Sequence, residues 1–210
     1  MSLFEYINNF DRWAVKAVNQ LHTPFLDSLM WDVSTFYFWL PLFLTVALLI
    51  FISYRQRTFY ILIAFICILL CVNIIGDHIL KPLIGRLRPT HSDLLPELQL
   101  VAKPNGKLYH GGLYSHPSGH ASTSFSFILT SLYYFRPVLR RYITFLLFGL
   151  FYVLIVAFSR IYLCVHYPTD IFNGYLLGGL TVSAWVLLLR KWDAPLLSSF
   201  RIQDIAKTYH

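Results

Sequence analysis

The chain has 210 residues, 57% of them hydrophobic and only 13% charged, with a positive mean hydropathy. Those values exclude an ordinary soluble domain and point to a polytopic membrane protein with little room for a soluble domain besides. The formal net charge is +7, but the basic residues sit in short loops between apolar runs, so membrane orientation and contact with anionic lipid or phosphate explain them better than nucleic acid does.

Residues 2–21 place Leu3, Ile7, Phe10, Ala14, Ala17 or Val18, and Leu21 on one helical face, with Glu5, Asn8, Asn9, Arg12, Lys16 and Asn19 elsewhere. The spacing predicts an amphipathic helix, either lying in the membrane interface or packed as a surface helix on a bundle. It does not read as a signal peptide, because Glu5 and Asp11 interrupt it and no basic segment precedes an apolar core. Pro24 ends this element or starts the next.

Phe36 to Ser53 is uncharged and is the first span, with Tyr37, Trp39 and Pro41 suited to an interfacial belt. The basic turn Tyr54-Arg55-Gln56-Arg57 precedes a second span, Thr58 to Gly76. A polar loop follows from Asp77 to Ser118, with a turn signal at Pro104-Asn105-Gly106 and histidines at 91, 110 and 116. The third span, Pro117 to Phe135, carries Ser122, Thr123, Ser124, Ser126, Thr130 and Ser131, so it should face other helices or a polar cavity. Arg136, Arg140 and Arg141 form another basic turn before the fourth span, Tyr142 to Phe158. Ile171 to Leu189 is the fifth, where Gly174 and Gly178 permit close helix approach. Arg190, Lys191, Arg201 and Lys207 make the tail basic.

The fold expected is therefore all-α: a polytopic membrane helix bundle of about five transmembrane helices plus an N-terminal amphipathic helix. Its expected units are an N-terminal segment over 1–30, a transmembrane domain over 31–192 with an external loop at 77–118, and a tail over 193–210. The basic turns and tail share one side by parity and should be cytoplasmic. The loop at 77–118 and the stretch Ser159 to Asp170 then share the outer side.

That shared face gathers three polar clusters at a lipid boundary, where ionisable groups are costly and default to function. Lys81, Arg86 and Arg88 supply positive charge suited to phosphate oxygens, although Arg86 also reads as a residue that only sets topology. Pro117-Ser118-Gly119-His120 opens a helix, with Ser118 as N-cap and Gly119 allowing close approach of an anion. His120 there is placed to give a proton to a leaving group. His166 and Asp170 are four apart, so the aspartate can fix the tautomer of a histidine nucleophile. Arg160 adds a further clamp. Phosphoryl transfer needs this inventory of charge and aligned groups, and no separate metal. The cysteines form no disulfide framework: Cys67 and Cys71 read as packing residues. So does Cys164, because Asp170 stands where a thiol phosphatase needs an arginine.

Lys81, six residues and Arg88-Pro89, then Pro117-Ser118-Gly119-His120, then Ser159-Arg160, five residues, His166, three residues and Asp170, resemble the three-part signature of the type 2 phosphatidic acid phosphatase (PAP2) superfamily. The resemblance covers roughly residues 36 to 190. It implies an integral-membrane lipid phosphatase working without a cofactor, with His166 forming a phosphohistidine, Asp170 orienting it and His120 protonating the leaving oxygen. Lys81, Arg88, Ser118, Gly119 and Arg160 would hold the phosphate. Many members have six spans; here the amphipathic helix replaces the first, and the long histidine-bearing loop reads as a lid over the headgroup.

The expected partners are a membrane lipid phosphate and the bilayer of a bacterial cytoplasmic membrane, with the site on the outer face and no nucleic acid. Undecaprenyl diphosphate is the first substrate expected, a lipid A phosphate the second, and phosphatidylglycerophosphate or phosphatidate the third. A vanadate-dependent haloperoxidase is a second class, opposed by five lipid-grade spans. A lipid-phosphate carrier is a third, opposed by the presence of both histidines and Asp170.

Overall fold

The computed structural model of the protein describes residues 2–136 and 142–198. Arg140 and Arg141 of the second basic turn, and Arg201 and Lys207 of the tail, lie outside the described residues. Among the described residues the chain is helical without strands. The β-type pairings among these residues are isolated bridges, Leu87 with Tyr114 and Ala102 with Leu108.

The first helix, α1 (Leu3–Asn19), opens with a reciprocal cap. The Ser2 N–H donates to Glu5 at 2.7 Å, and the Glu5 N–H donates to Ser2 Oγ at 3.2 Å. Its buried stripe is Asp11, Val15 and Asn19, spaced by four along one face. Leu3, Phe4, Ile7, Phe10 and Trp13 point outward instead. The polar side of this helix is thus the one that faces the protein, because Asp11 and Asn19 find partners there. Pro24 begins α2 (Pro24–Val33) at its first turn, and Thr23 Oγ1 caps it by accepting the Leu26 N–H at 3.2 Å.

Helices α3 (Phe36–Tyr54) and α4 (Thr58–Asn73) are joined by a single 3₁₀ turn at Arg55–Arg57. The second span does not stop at Gly76. It continues through a π-helical turn (Ile74–Leu80) into α5 (Lys81–Ile84). The Asp77–Lys81 ion pair, 2.6 Å and one turn apart, bridges that junction. Gly85 then ends it at φ 65°, its N–H donating to the Lys81 carbonyl at 2.9 Å. The polar connection therefore begins after Ile84, and it carries the expected turn, with Gly106 N–H donating to Lys103 O at 2.8 Å.

Helix α6 (Gly119–Phe135) is the centre of the bundle and packs on α4, α7 (Tyr142–Tyr162) and α8 (Pro168–Ser198). Its serines and threonines turn inward as expected: Ser122, Ser124, Ser126, Thr130 and Ser131 are buried, and Thr130 and Ser131 donate to carbonyls one turn back at 2.7 Å. The contact with α8 is very close. A Cβ on Gly174 would stand 2.7 Å from the Ser118 carbonyl oxygen, and one on Gly178 2.7 Å from that of Ser122. Ile50, Ile61, Phe65, Phe127, Tyr134 and Tyr152 fill the space between α3, α4, α6 and α7. Among the described residues three helical stretches are long and apolar enough to cross a membrane: Phe36–Ile84, which contains both α3 and α4, Ile143–Tyr162 and Pro168–Leu189.

Candidate active site

The C-terminal extension of α4, the start of α6, the end of α7 and the start of α8 meet at one end of the bundle, under the connection from Gly85 to Ser118. They enclose a cavity of about 350 Å³. Lys81, Arg88, Gly119, His120, Arg160 and His166 all line it, together with Asn73, Asp77, Tyr109, Gly112 and Thr123. Six of the residues singled out in sequence thus share one wall. The other two, Ser118 and Asp170, lie just behind it, both fully buried. Ser118 Oγ caps α6, and its N–H donates to the Asp170 carbonyl at 3.0 Å, tying the second cluster to the third.

The segment between α7 and α8 has a local logic. Helix α7 runs out at Tyr162, and Arg160 in its last turn complements the carbonyl end of the helix. Cys164 takes φ 56° to turn the chain, which presents His166 to the cavity. Pro168 starts α8, and the Tyr167 N–H just before it donates to Asp170 Oδ2 at 2.8 Å, which is half of a capping box. Cys164 itself is buried, and burial pushes its thiol up to about 12, so it is a packing residue in a closed site.

Charge in the cavity is lopsided. Arg88 and Arg160 are buried, and neither makes an ion pair among the described residues. Arg88 Nε donates to the Tyr114 carbonyl at 3.0 Å, and burial holds its guanidinium below the usual arginine range. Arg160 Nη2 donates to the Tyr109 hydroxyl at 2.9 Å, while its Nε is buried with no partner. Buried cations and an orphaned donor are costly unless an anion answers them. Lys81, the third cation, is held against Asp77.

His166 is 1% exposed. Burial pushes its imidazole down to about 3, against the opposing pull of Asp170. Its neutral form therefore dominates at neutral pH. Asp170 Oδ2 lies 3.7 Å from His166 Nδ1. Oδ1 of the same carboxylate accepts from Arg86 Nη1 at 2.9 Å and stands 3.1 Å from His116 Nδ1. His120 Nε2 lies 3.2 Å from the Ser34 carbonyl, so the corner between α2 and α3 orients that ring. Among the described residues no three His, Cys, Asp or Glu side chains are grouped as metal ligands.

The roles of four participants were not legible in the sequence. Arg86 does not line the cavity; it clamps Asp170, stacks 4.1 Å over the Tyr167 ring and reaches Asp11. His116, expected in a lid, sits beside Asp170. Tyr109 carries Arg160, and the buried Asp11 comes from α1. Only the charge of Asp11, out of place in a helix that otherwise looked interfacial, could have signalled it.

Comparison with known proteins places the chain in a family. The sequence description of the PAP2 superfamily matches residues 63–194. A lipid A 4′-phosphatase of Porphyromonas gingivalis is 30% identical over 179 residues, covering 83% of this chain and 70% of that protein. One from Bacteroides thetaiotaomicron is 25% identical over 197 residues, covering 93% and 84%. An undecaprenyl-diphosphatase of Sulfolobus acidocaldarius is 28% identical over 181 residues, covering 83% and 73%. In fold, the chain resembles the transmembrane PAP2-type phosphatidylglycerolphosphate phosphatase of Bacillus subtilis. The TM-score is 0.65 at 24% identity, over 89% of this chain and 87% of that one.

Proposed function

Because the chain belongs to the PAP2 superfamily of phosphatases, we propose that it is a metal-independent, multi-pass membrane phosphatase that removes phosphate from a lipid through a phosphohistidine. The observation that carries this reading is the pair of buried guanidiniums, Arg88 and Arg160, lining one cavity with a neutral His166. The cations take up the charge of the phosphoryl oxygens, and the N-terminus of α6 at Gly119 adds backbone donors. His166 attacks phosphorus through Nε2, with Asp170 steadying the imidazolium that forms. His120 protonates the departing lipid oxygen, and a water then releases phosphate from His166.

The lipid we favour is a lipid A phosphate, ahead of the undecaprenyl diphosphate expected from sequence. The support is that two relatives matched over most of their length carry the lipid A 4′-phosphatase name. Five helices, α3, α4, α6, α7 and α8, would cross the bilayer, with the cavity on the outer face and Arg55 and Arg57 at the cytoplasmic end. Leu3, Phe4, Ile7, Phe10 and Trp13 suit α1 to the outer interface.

The test is phosphate release by purified protein in excess chelator from lipid A, undecaprenyl diphosphate, phosphatidylglycerophosphate and phosphatidate. Release from lipid A, unaffected by chelator, supports the reading. Release only after a divalent cation is restored would defeat the charge account, and preference for undecaprenyl diphosphate would restore the sequence expectation.

A further inference from the structure

Asp11 is fully buried, although it belongs to a helix whose other face is apolar and exposed. Its carboxylate meets Arg86 Nη2 at 2.7 Å and accepts the Thr169 N–H at 3.1 Å. It also accepts the Thr169 hydroxyl. The other side of the same guanidinium, Nη1, donates to Thr169 Oγ1 at 2.7 Å and to Asp170 Oδ1 at 2.9 Å. One arginine is therefore shared between two buried carboxylates, one on α1 and one beside His166.

Helix α1 is fastened where this sharing requires it. Arg12 pairs with Asp93 at 2.7 Å and Lys16 with Glu97 at 2.6 Å, both across to the connection above the cavity. Asn19 Nδ2 donates to the Gln99 carbonyl at 2.8 Å and to Cys164 Sγ at 3.2 Å.

We infer that Asp11 is a positioning residue for the phosphatase reaction: by taking half of Arg86, it limits the arginine's hold on the Asp170 carboxylate that supports His166. A guanidinium offers a planar fork whose two edges serve two acceptors at once. Without the Asp11 charge, the whole of Arg86 turns on Asp170. The carboxylate is drawn toward the arginine and away from a ring nitrogen that already stands 3.7 Å off. The imidazolium formed on attack then loses its counter-charge, while Arg88 and Arg160, which contact neither Asp11 nor Arg86, are untouched. The inference rests on the phosphohistidine reading above.

Asp11→Asn in the full chain tests it, measured by lipid phosphate turnover and by inhibition with vanadate, a phosphate mimic. The expected result is a kcat lower by about tenfold, the rate equivalent of roughly 1.4 kcal/mol of lost transition-state support, with the vanadate inhibition constant changed less than about twofold. An unchanged kcat would overturn the inference. So would a parallel loss of turnover and vanadate affinity, which is the mark of a merely structural role. If Asp11→Asn fails to fold, Arg86→Lys decides: a point charge cannot serve both carboxylates as the planar fork does, and normal turnover in it also overturns the inference. Absence of turnover in the wild-type protein would instead count against the phosphatase reading itself.

Discussion

Asp170 Oδ2 stands 3.7 Å from Nδ1 of His166, close enough for an ion pair and too far for a direct hydrogen bond. The aspartate is held back by Arg86, His116 and the Tyr167 N–H, which between them occupy both carboxylate oxygens. His166 Nδ1 is accordingly buried without a hydrogen-bond partner. Catalytic hydrogen bonds of this kind commonly tighten only in the reacting complex. On the proposed mechanism the attraction between Asp170 and the histidine grows when the ring becomes an imidazolium, so the pair would be weak before attack and strong during it.

Asp170→Asn should lower kcat by at least about 100-fold, within the range seen when the partner of a catalytic histidine loses its charge. The same change removes a counter-ion of Arg86, so melting in detergent should fall by several degrees. Turnover and melting measured together check both, and a normal kcat would exclude Asp170 from the chemistry.

Gly111 sits at φ 69°, and a Cβ there would lie 2.3 Å from Arg88 Nη1. The guanidinium cannot simply withdraw, because Arg88 is buried and tied to the Tyr114 carbonyl. Gly111→Ala should displace it and weaken vanadate inhibition by about tenfold, roughly the 1.4 kcal/mol of one charged hydrogen bond. Gly106→Ala is the control, since φ is 78° there but the space is open. It should cost about 1 kcal/mol of stability and leave vanadate affinity alone.

The two glycines of α8 should separate packing from tolerance. Gly178→Ala places a methyl group 2.7 Å from a backbone carbonyl of α6 and should destabilise by about 1–3 kcal/mol. Its neighbour Gly179 would meet Phe125 at 3.5 Å, an ordinary contact, so Gly179→Ala should melt like the parent. Thermal unfolding of the two variants side by side reads this difference.

The acid side of the pH profile follows from His166. A base whose pKa is pushed down to about 3 keeps its neutral, nucleophilic form as pH falls through 6.5. Formation of the phosphoenzyme should therefore persist at pH 5, where an unperturbed histidine would be mostly protonated. Stability runs the other way: between pH 6.5 and 3 the unfolded chain binds a proton at this position that the folded chain does not, so the fold weakens as pH falls. A single-turnover rate that drops with a midpoint near 6.5 would contradict the buried, neutral histidine.

How much of this was legible in the sequence depends on the distance over which residues act. His166, Pro168 and Asp170 lie within one turn of the start of α8, so their spacing carried their geometry. The cap at Ser118 and the close approach at Gly174 and Gly178 were readable for the same reason. The helical continuation through Asp77 to Ile84 was not, because charged residues after an apolar run look like a loop until their ion pair is seen. Arg86 read as a topology residue because its partners, Asp11 and Asp170, are 75 and 84 residues away. No periodicity reports contacts at that range. The amphipathic character of α1 was visible, but which side faces the protein depends on Asp11 and Asn19 finding partners in other elements.

The most direct test of the account is to trap the covalent intermediate. Protein incubated briefly with lipid A labelled in its phosphate and quenched in alkali should carry the label on His166, in an acid-labile and base-stable bond. Label should be absent from His166→Ala, which should still bind vanadate. Label on another residue, or steady turnover by His166→Ala, would contradict the assignment of His166 as nucleophile.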